Sequence, residues 1–438
     1  MVKYSCERCG KEFSQKSHYD SHNIRKTPCE NNADKIKALV DKAVEEKLKE
    51  LNNKSLIVEN EEVNVNTDIM EQPNKSLIIE KPDILNDNFK LPNTRYQGSK
   101  KKIINKIYDL IITYFKPNHI LDLFGGSAIC SLYFQMNNIK TTYNDILKFN
   151  SINANGILDN DLNNIPSEEE IEMIFKPSNT INYNSFIYGT FKDIYYTDDE
   201  NKQLDIFREN IKYYSNENIT KKNIMYYFIF QSLISKRPYN LFHRKNLSIR
   251  TADVKRNFGN KVTWEKTFIV HMLKFRKELI KLYEQKKIIA IGNTNIINMS
   301  YNKIPDEIAS DIDTIYIDPP YFKKDCKDSQ YFDNYHFLEG FISESWNASI
   351  DFSTKHLKLK TSTDNIIENA DKMFDNIIDK YGNKNLIISY NTEAFPKVSD
   401  IETKLKKKYS KVITTHIDYK YALSKSNSQE VLILALVI

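Results

Sequence analysis

The stretch TIYIDPPYF, Thr314–Phe322, sets an apolar strand-forming run against a carboxylate, two prolines and an aromatic ring. The prolines hold the backbone extended and offer no N–H. Local carbonyls and the Asp318 carboxylate therefore stay free to accept hydrogen bonds, with the flat ring of Tyr321 beside them. Asp318, Pro319, Pro320 and Tyr321 together suit an aromatic amine, giving acceptors for its NH2 group and a ring to stack on. Such an amine is a poor nucleophile, because its lone pair is delocalised into the ring. Accepting both N–H bonds favours a pyramidal nitrogen whose lone pair can attack. No strong base is needed first, since the proton can leave afterwards. Taken alone, a plain turn after a strand is the better reading of these four residues.

A second chemical stretch is DLFGGSAICSLYF, Asp122–Phe134, where a strand enters a Gly-Gly turn that opens a helix. Glycine lets the backbone turn sharply and approach a ligand closely. About twenty residues on, Asp145 in YNDI ends the next strand, where a nucleoside-binding α/β sheet uses an acid for ribose hydroxyls. There is no G-x-G-x-x-G, which disfavours NAD and leaves another adenosine-bearing cofactor. Cys130, on the helix after the turn, reads as core packing.

The N-terminus carries a third pattern. Cys6 and Cys9 are two residues apart, twelve residues lead to His22, and six more to Cys29. Phe13 and Tyr19 fall where a ββα zinc finger needs its two apolar residues. Cys6, Cys9, His22 and Cys29 can close a tetrahedral, structural Zn2+ site. The unit resembles such a finger with its last His replaced by Cys, and His18 is a competing ligand. A closed ligand set binds rather than catalyses, and the finger's partner is either DNA or a protein.

The elements that must position these residues follow from pattern. The chain has 438 residues, room for two or three domains, and is 40% hydrophobic with a net charge of +5. That charge permits nucleic-acid binding without requiring it. Of five cysteines, three cluster in the first thirty residues, which argues for a metal and a reducing compartment over a disulfide framework. No eighteen-residue apolar run and no signal-peptide core occur, so an intracellular, soluble protein without a membrane partner is expected. Residues 34–51 have helical apolar spacing, fitting either a weak dimer contact or packing on the main domain. Residues 52–92 read as a polar linker in which NKSLI occurs at 53–57 and 74–78. From about 93 the chain is globular. A helix is expected over 101–115 and strands at 119–126, 141–145, 287–295, 314–320, 385–391 and 430–438. Strands alternating with helices give an α/β fold with a largely parallel sheet.

Taken together and in order, RYQGSK (95–100), DLFGGSA (122–128), YNDI (143–146), GNTN (292–295) and DPPY (318–321) are similar to the Dam-like (D12 class) DNA adenine-N6 methyltransferases. SKRPYNLFHRKNL (235–247) and YFDNYHFLEGF (331–341) also resemble that family, so the likeness covers roughly residues 93–438. It implies a Rossmann-like, S-adenosylmethionine-dependent sheet split into a cofactor part (93–150) and a catalytic part (286–438). A helical target-recognition insertion (151–285) would lie between them, with the ββα finger at 1–32 and the helix and linker at 33–92 preceding. By the same resemblance Tyr96 and Lys100 belong to the cofactor motif, Lys100 facing the cofactor carboxylate. Phe124 and Gly126 would line the cofactor turn, Asp145 would hold the ribose, and Asn293 would stand near the cofactor adenine. Asp318, Pro319, Pro320 and Tyr321 would form the catalytic pocket, Asp318 also touching the cofactor. Ala128 replaces the family's third glycine. In KRPYNLFHRKNLSIR, the basic residues Lys236, Arg237, Arg244, Lys245 and Arg250 would meet phosphates, and Tyr239 and Phe242 would stack on bases. His243 reads as structural or as a phosphate contact. The implied activity is site-specific methylation of adenine N6 in duplex DNA, as in restriction-modification, with the target base flipped out. Adenine in RNA, cytosine N4 in DNA, and a catalytically inactive DNA-binding regulator are the alternatives. A eukaryotic-style finger on a bacterial-style methylase suggests a large DNA virus or a protist.

Overall fold

The computed structural model describes residues 4–6, 12–13, 15–23, 91–92, 96–254, 261–287, 292–322, 331–360, 370–417 and 429–437. Contacts divide the chain into units 1–80 and 81–438. In the first, β1 (Tyr4–Ser5) and β2 (Glu12–Phe13) pair antiparallel and precede the helix Lys16–Asn23. Tyr19 packs on Tyr4 and Phe13, with ring centroids 5.9 and 6.2 Å away. The expected helix at 34–51, and the linker except for Leu91 and Pro92, lie outside the described residues.

The second unit is built on a seven-stranded sheet. Its strands are β3 (His119–Asp122), β4 (Lys140–Asn144), β5 (Thr294–Ile297), β6 (Thr314–Ile317), β7 (Asn385–Asn391), β8 (Lys411–Ile417) and β9 (Glu430–Leu436). The order is β5-β4-β3-β6-β7-β9-β8, and β9 runs against both of its neighbours while the other pairs are parallel. Every residue of β3, β6 and β9 is buried, as expected for strands covered on both faces. Side chains alternate between two cores. Ile120, Tyr316, Ile387 and Leu432 join Ile104, Ile107 and Ile111 of the helix Ile104–Tyr114 on one face. Leu121, Ile315, Ile317, Ile388 and Ile433 meet the helices Ala370–Tyr381 and Val398–Leu405 on the other.

Two expectations about strands change. Of the expected strand at 287–295, residues 288–291 lie outside the described residues; Lys287 follows the helix Phe268–Lys286, and β5 starts only at Thr294. β8 was not anticipated. It is a sheet edge with mostly half-buried residues, so its sequence, KVITTHI, shows no continuous apolar run.

Between β4 and β5 lies a helical insertion whose longest members are Ile219–Ser235 and Phe268–Lys286. Its core is aromatic and aliphatic, including Phe207, Phe228, Phe230, Met272 and Phe275. Here the structure corrects the reading of the basic segment. Lys236 and Arg237 are 2% and 1% exposed. The Lys236 ammonium sits 2.8 Å from Glu200, and Arg250 donates to both Glu200 oxygens at 2.9 and 2.7 Å. Arg237 lies over the Tyr195 ring at 4.4 Å and donates to the carbonyls of Tyr195, Leu241 and Arg244. Phe242 is fully buried against Phe337. These residues hold the segment from beneath. A guanidinium or ammonium out of water needs acceptors, and folded carbonyls and Glu200 supply them. Tyr239, Arg244 and Lys245 remain on the surface.

Glu200→Ala leaves Lys236 and Arg250 without their shared carboxylate, and should cost about 3–5 kcal/mol in urea-induced unfolding. A loss under about 1 kcal/mol would show that backbone carbonyls alone hold the two cations.

Candidate active site

Parallel register brings acids from distant segments to one edge of the sheet. Asp122 ends β3, Asp145 follows β4 and Asp318 follows β6. β3 connects outward to β4 and β5, whereas β6 and β7 lie on its other side. Ligands of open α/β sheets bind at such a switch point, outside the carboxyl ends of the strands.

The glycine turn is shaped by neighbours that leave no room for a side chain. A Cβ on Gly125 would stand 2.2 Å from the Tyr143 ring, and Gly126 has φ +46° with Tyr96 lying over it. The Gly126 N–H donates to Asp145 Oδ2 at 2.9 Å, and the Leu147 N–H donates to Oδ1 at 2.8 Å. Tyr143 closes the loop by donating to the Gly126 carbonyl at 2.9 Å. Asp145 thus fixes the turn as well as standing beside it. Burial raises its carboxyl to about 6, the hydrogen bonds from Leu147, Asn150 and Gly126 pulling the other way. Ala128, at the expected third-glycine position, also adopts a left-handed φ of +59°. Tyr96 stacks on Tyr335 at 4.8 Å, and its hydroxyl accepts from Asn150 Nδ2 at 3.0 Å. Phe124 packs against Tyr301 at 5.7 Å.

Asn293 does not join this group. Pairing of Thr141 with Thr294 and of Asn144 with Ile297 puts Asn293 beyond the amino end of β5, exposed, its carbonyl accepting from Thr141. The position opposite Asp145 in that register is Asn298. Its Nδ2 donates to the Asp145 and Ile146 carbonyls at 2.6 and 3.0 Å. The GNTN motif lies one short strand too early in the chain to reach the crevice.

The DPPY segment leaves β6 at the same edge. Pro319 is buried, Pro320 and Tyr321 are half-buried, and Asp318 keeps 19% of its side chain exposed. Lys100 lies on Asp318, its Nζ 2.8 Å from Oδ1, and it also donates to the Tyr321 hydroxyl at 3.0 Å. The Tyr321 hydroxyl stands 3.2 Å from Asp318 and 3.1 Å from Glu430 Oε1. Glu430, fully buried at the start of β9, lies 3.5 Å from the Lys100 ammonium and accepts from Ser389 of β7. Burial raises the Asp318 carboxyl to about 6; Lys100 opposes that rise and the Glu430 charge adds to it. Asp122, buried behind the site and accepting from Ser131 Oγ at 2.6 Å, is pushed up to about 7, chiefly by burial. Cys130 is buried with its Sγ 3.6 Å from the Tyr316 hydroxyl, as core packing requires. Sequence reasoning missed Asn298, Ser389 and Glu430. The available signal for Glu430 was an acid opening an otherwise apolar strand.

In the N-terminal unit, Cys6 and His22 are both buried, and Cys6 Sγ lies 3.7 Å from Asn23 Oδ1. Cys9 and Cys29 lie outside the described residues, and no metal-binding cluster occurs among the described residues.

Comparison with known proteins gives a consistent result. A family model described as D12 class N6 adenine-specific DNA methyltransferase matches residues 96–395. The chain is similar to "Modification methylase StsI" of Streptococcus sanguinis, 25% identical over 71% of this chain and 46% of the relative. It is similar to "Type II methyltransferase M2.HphI" of Haemophilus parahaemolyticus, 24% identical over 78% of this chain and 96% of the relative. It is also similar to "Type II methyltransferase M.FokI" of Planomicrobium okeanokoites, 22% identical over 71% and 46%. The match thus spans about half the length of the first and third of these proteins and nearly all of the second.

Because the Asp122 carboxyl is raised to about 7, folding favours its protonated form, and its ionisation in the folded state costs roughly 4 kcal/mol. That cost is absent near pH 4 and grows as pH rises towards 7. Asp122→Asn should therefore raise the melting temperature more at pH 8 than at pH 5. An equal shift at both pH values would show that Asp122 is not held neutral.

Proposed function

We propose, because this chain belongs to the D12 class N6 adenine-specific DNA methyltransferases, that it transfers a methyl group from S-adenosylmethionine to N6 of an adenine flipped out of duplex DNA. The observation that carries the reading is the position of Asp318. It leaves the carboxyl end of β6 partly open to solvent, on the same rim as the tight Gly125–Gly126 turn and Asp145. The glycine turn suits a nucleoside cofactor because only glycine gives so tight a backbone here, a side chain at Gly125 or Gly126 meeting the Tyr143 or Tyr96 ring. Tyr96, Phe124, Gly126, Asp145 and Asn298 would hold that cofactor, with Lys100 within reach of its carboxylate. Bound there, the cofactor supplies a methyl group on a positively charged sulfur. Asp318 and the neighbouring carbonyl would accept the two N–H bonds of the target amine, and the Tyr321 ring would support the base. Holding that amine in line supplies much of the rate. An adenine inside a duplex cannot reach Asp318, so it must leave the stack.

DNA would meet the insertion through Tyr239, Arg244 and Lys245. Tyr239 is 73% exposed, and it and Asn240 both take φ +61°. A strained turn presenting an aromatic ring, with surface Arg244 and Lys245 a few residues on, suits stacking at an opened base pair. Residues 151–285 would accordingly be the target-recognition part, and the relatives' names point to a modification role. No described helix is long and apolar enough to cross a membrane. The N-terminal unit would bind structural Zn2+ through Cys6, Cys9, His22 and Cys29. The buried Cys6 and His22 of a ββα arrangement support that set.

Asp318→Ala should cut methyl transfer at least about a hundredfold while leaving DNA affinity within a few fold. The readout is N6-methyladenine mapped by sequencing in DNA from expressing cells, with binding measured separately; unchanged turnover would remove the assigned pocket. For the finger, the full chain should carry one equivalent of zinc, and Cys6→Ala should lose it with adenine methylation retained. A wild-type protein that holds no zinc after purification in a zinc-supplemented, chelator-free buffer would overturn the ligand set.

A further inference from the structure

Two carboxylates, Asp318 partly open to solvent and Glu430 fully buried, converge on Lys100, and the transfer chemistry uses the first. Glu430 is fully buried and comes from β9, more than a hundred residues beyond Asp318. Nothing in a buried sheet interior requires an acid there; every other residue of β9 is apolar. A carboxylate out of water costs several kcal/mol unless matched by donors. Three donors converge on it: the Ser389 hydroxyl from β7, the Tyr321 hydroxyl at 3.1 Å and the Lys100 ammonium at 3.5 Å. Two of the three also lie within hydrogen-bond distance of Asp318, Lys100 at 2.8 Å and Tyr321, whose single proton serves one carboxylate at a time, at 3.2 Å.

The consequence is geometric. Tyr321 is half-buried and its hydroxyl lies on the long axis of the ring, so the partners of that hydroxyl set where the axis points. Glu430 holds that hydroxyl inward, while Tyr390 meets the ring edge-on at 5.5 Å. Lys100 donates to the same hydroxyl at 3.0 Å, its Nζ 5.2 Å from the ring centroid. We propose that Glu430 is a positioning residue of the transfer site, fixing through the Tyr321 hydroxyl and the Lys100 ammonium both the ring that supports the target base and the carboxylate that grips its amine. Ser389 orients Glu430 in turn. The inference rests on the methyltransferase reading given above.

The titratable groups that interact with Asp318 include Lys100, Tyr321, Glu430, Asp122 of β3, Tyr316 of β6 and Cys130 of the helix after the glycine turn. Removing the Glu430 charge while keeping its shape therefore leaves Lys100 to Asp318 alone, and Asp318 ionises at lower pH. The test uses the full-length protein with Glu430→Gln, Tyr321→Phe and the double variant. Single-turnover methyl transfer to DNA is measured across pH, together with DNA affinity and melting temperature. Glu430→Gln should slow transfer about ten- to a hundredfold, the scale of a small misplacement, with DNA affinity within a few fold. The acid limb of its pH profile should move to lower pH. The double variant should lose less than the product of the two single losses, because both act through one hydroxyl. Wild-type-like transfer by Glu430→Gln, an unmoved acid limb, or fully multiplicative losses would each overturn the assignment. A wild-type protein that leaves adenine in DNA unmodified overturns the methyltransferase reading itself, and this inference with it.

Discussion

The second unit is organised around one buried ammonium. Lys100 comes from the short turn before the first long helix, Asp318 from the loop after β6 and Glu430 from the last strand. Burying Lys100 alone would be prohibitive, as would burying either acid alone. Together, with the Tyr321 hydroxyl between them, they satisfy one another and tie three chain segments across the carboxyl edge of the sheet. The reversed strand β9 matters for this reason. By inserting between β7 and β8 it delivers an acid to the same edge at which the parallel strands end. An ordinary parallel strand there would begin at the opposite edge.

The crevice beside that centre follows similar logic with backbone donors. Asp145 is anchored by the N–H groups of Gly126 and Leu147, so the glycine turn and the acid at the end of β4 fix each other. Tyr143 and Tyr96 close the turn from two sides. Burial makes ionisation of Asp122, Asp145 and Asp318 costly, so charge at this edge is concentrated where a donor or cation compensates it.

The insertion shows why a count of basic residues is a weak guide to a binding face. The segment around residues 236–250 reads as a phosphate-binding stripe, yet Lys236, Arg237 and Arg250 are spent on Glu200 and on backbone carbonyls. What they accomplish is to hold a strained turn that leaves Tyr239, Arg244 and Lys245 outward. The division between inward and outward cations depends on where Glu200 sits, fifty residues from Arg250, and no local pattern encodes that.

Local chemistry made the chain's class readable. A carboxylate before two prolines, a Gly-Gly turn after a buried strand and an acid ending the next strand depend on residues adjacent in sequence. Backbone geometry constrains such groups wherever the chain goes. Apolar runs likewise revealed β3, β6, β7 and β9, because strands buried on both faces are largely apolar. Tertiary structure alone decided the rest. The half-exposed edge strand β8 has no such run, and β5 starts later than its apolar neighbourhood suggests. Register across the β4–β5 pair, invisible in either strand, excluded Asn293 and put Asn298 opposite Asp145. The partnership of Lys100 with Glu430 joins residues more than three hundred positions apart. It exists only because sheet order carries the final strand back beside β7, and sheet order is a global property that no short stretch of sequence contains.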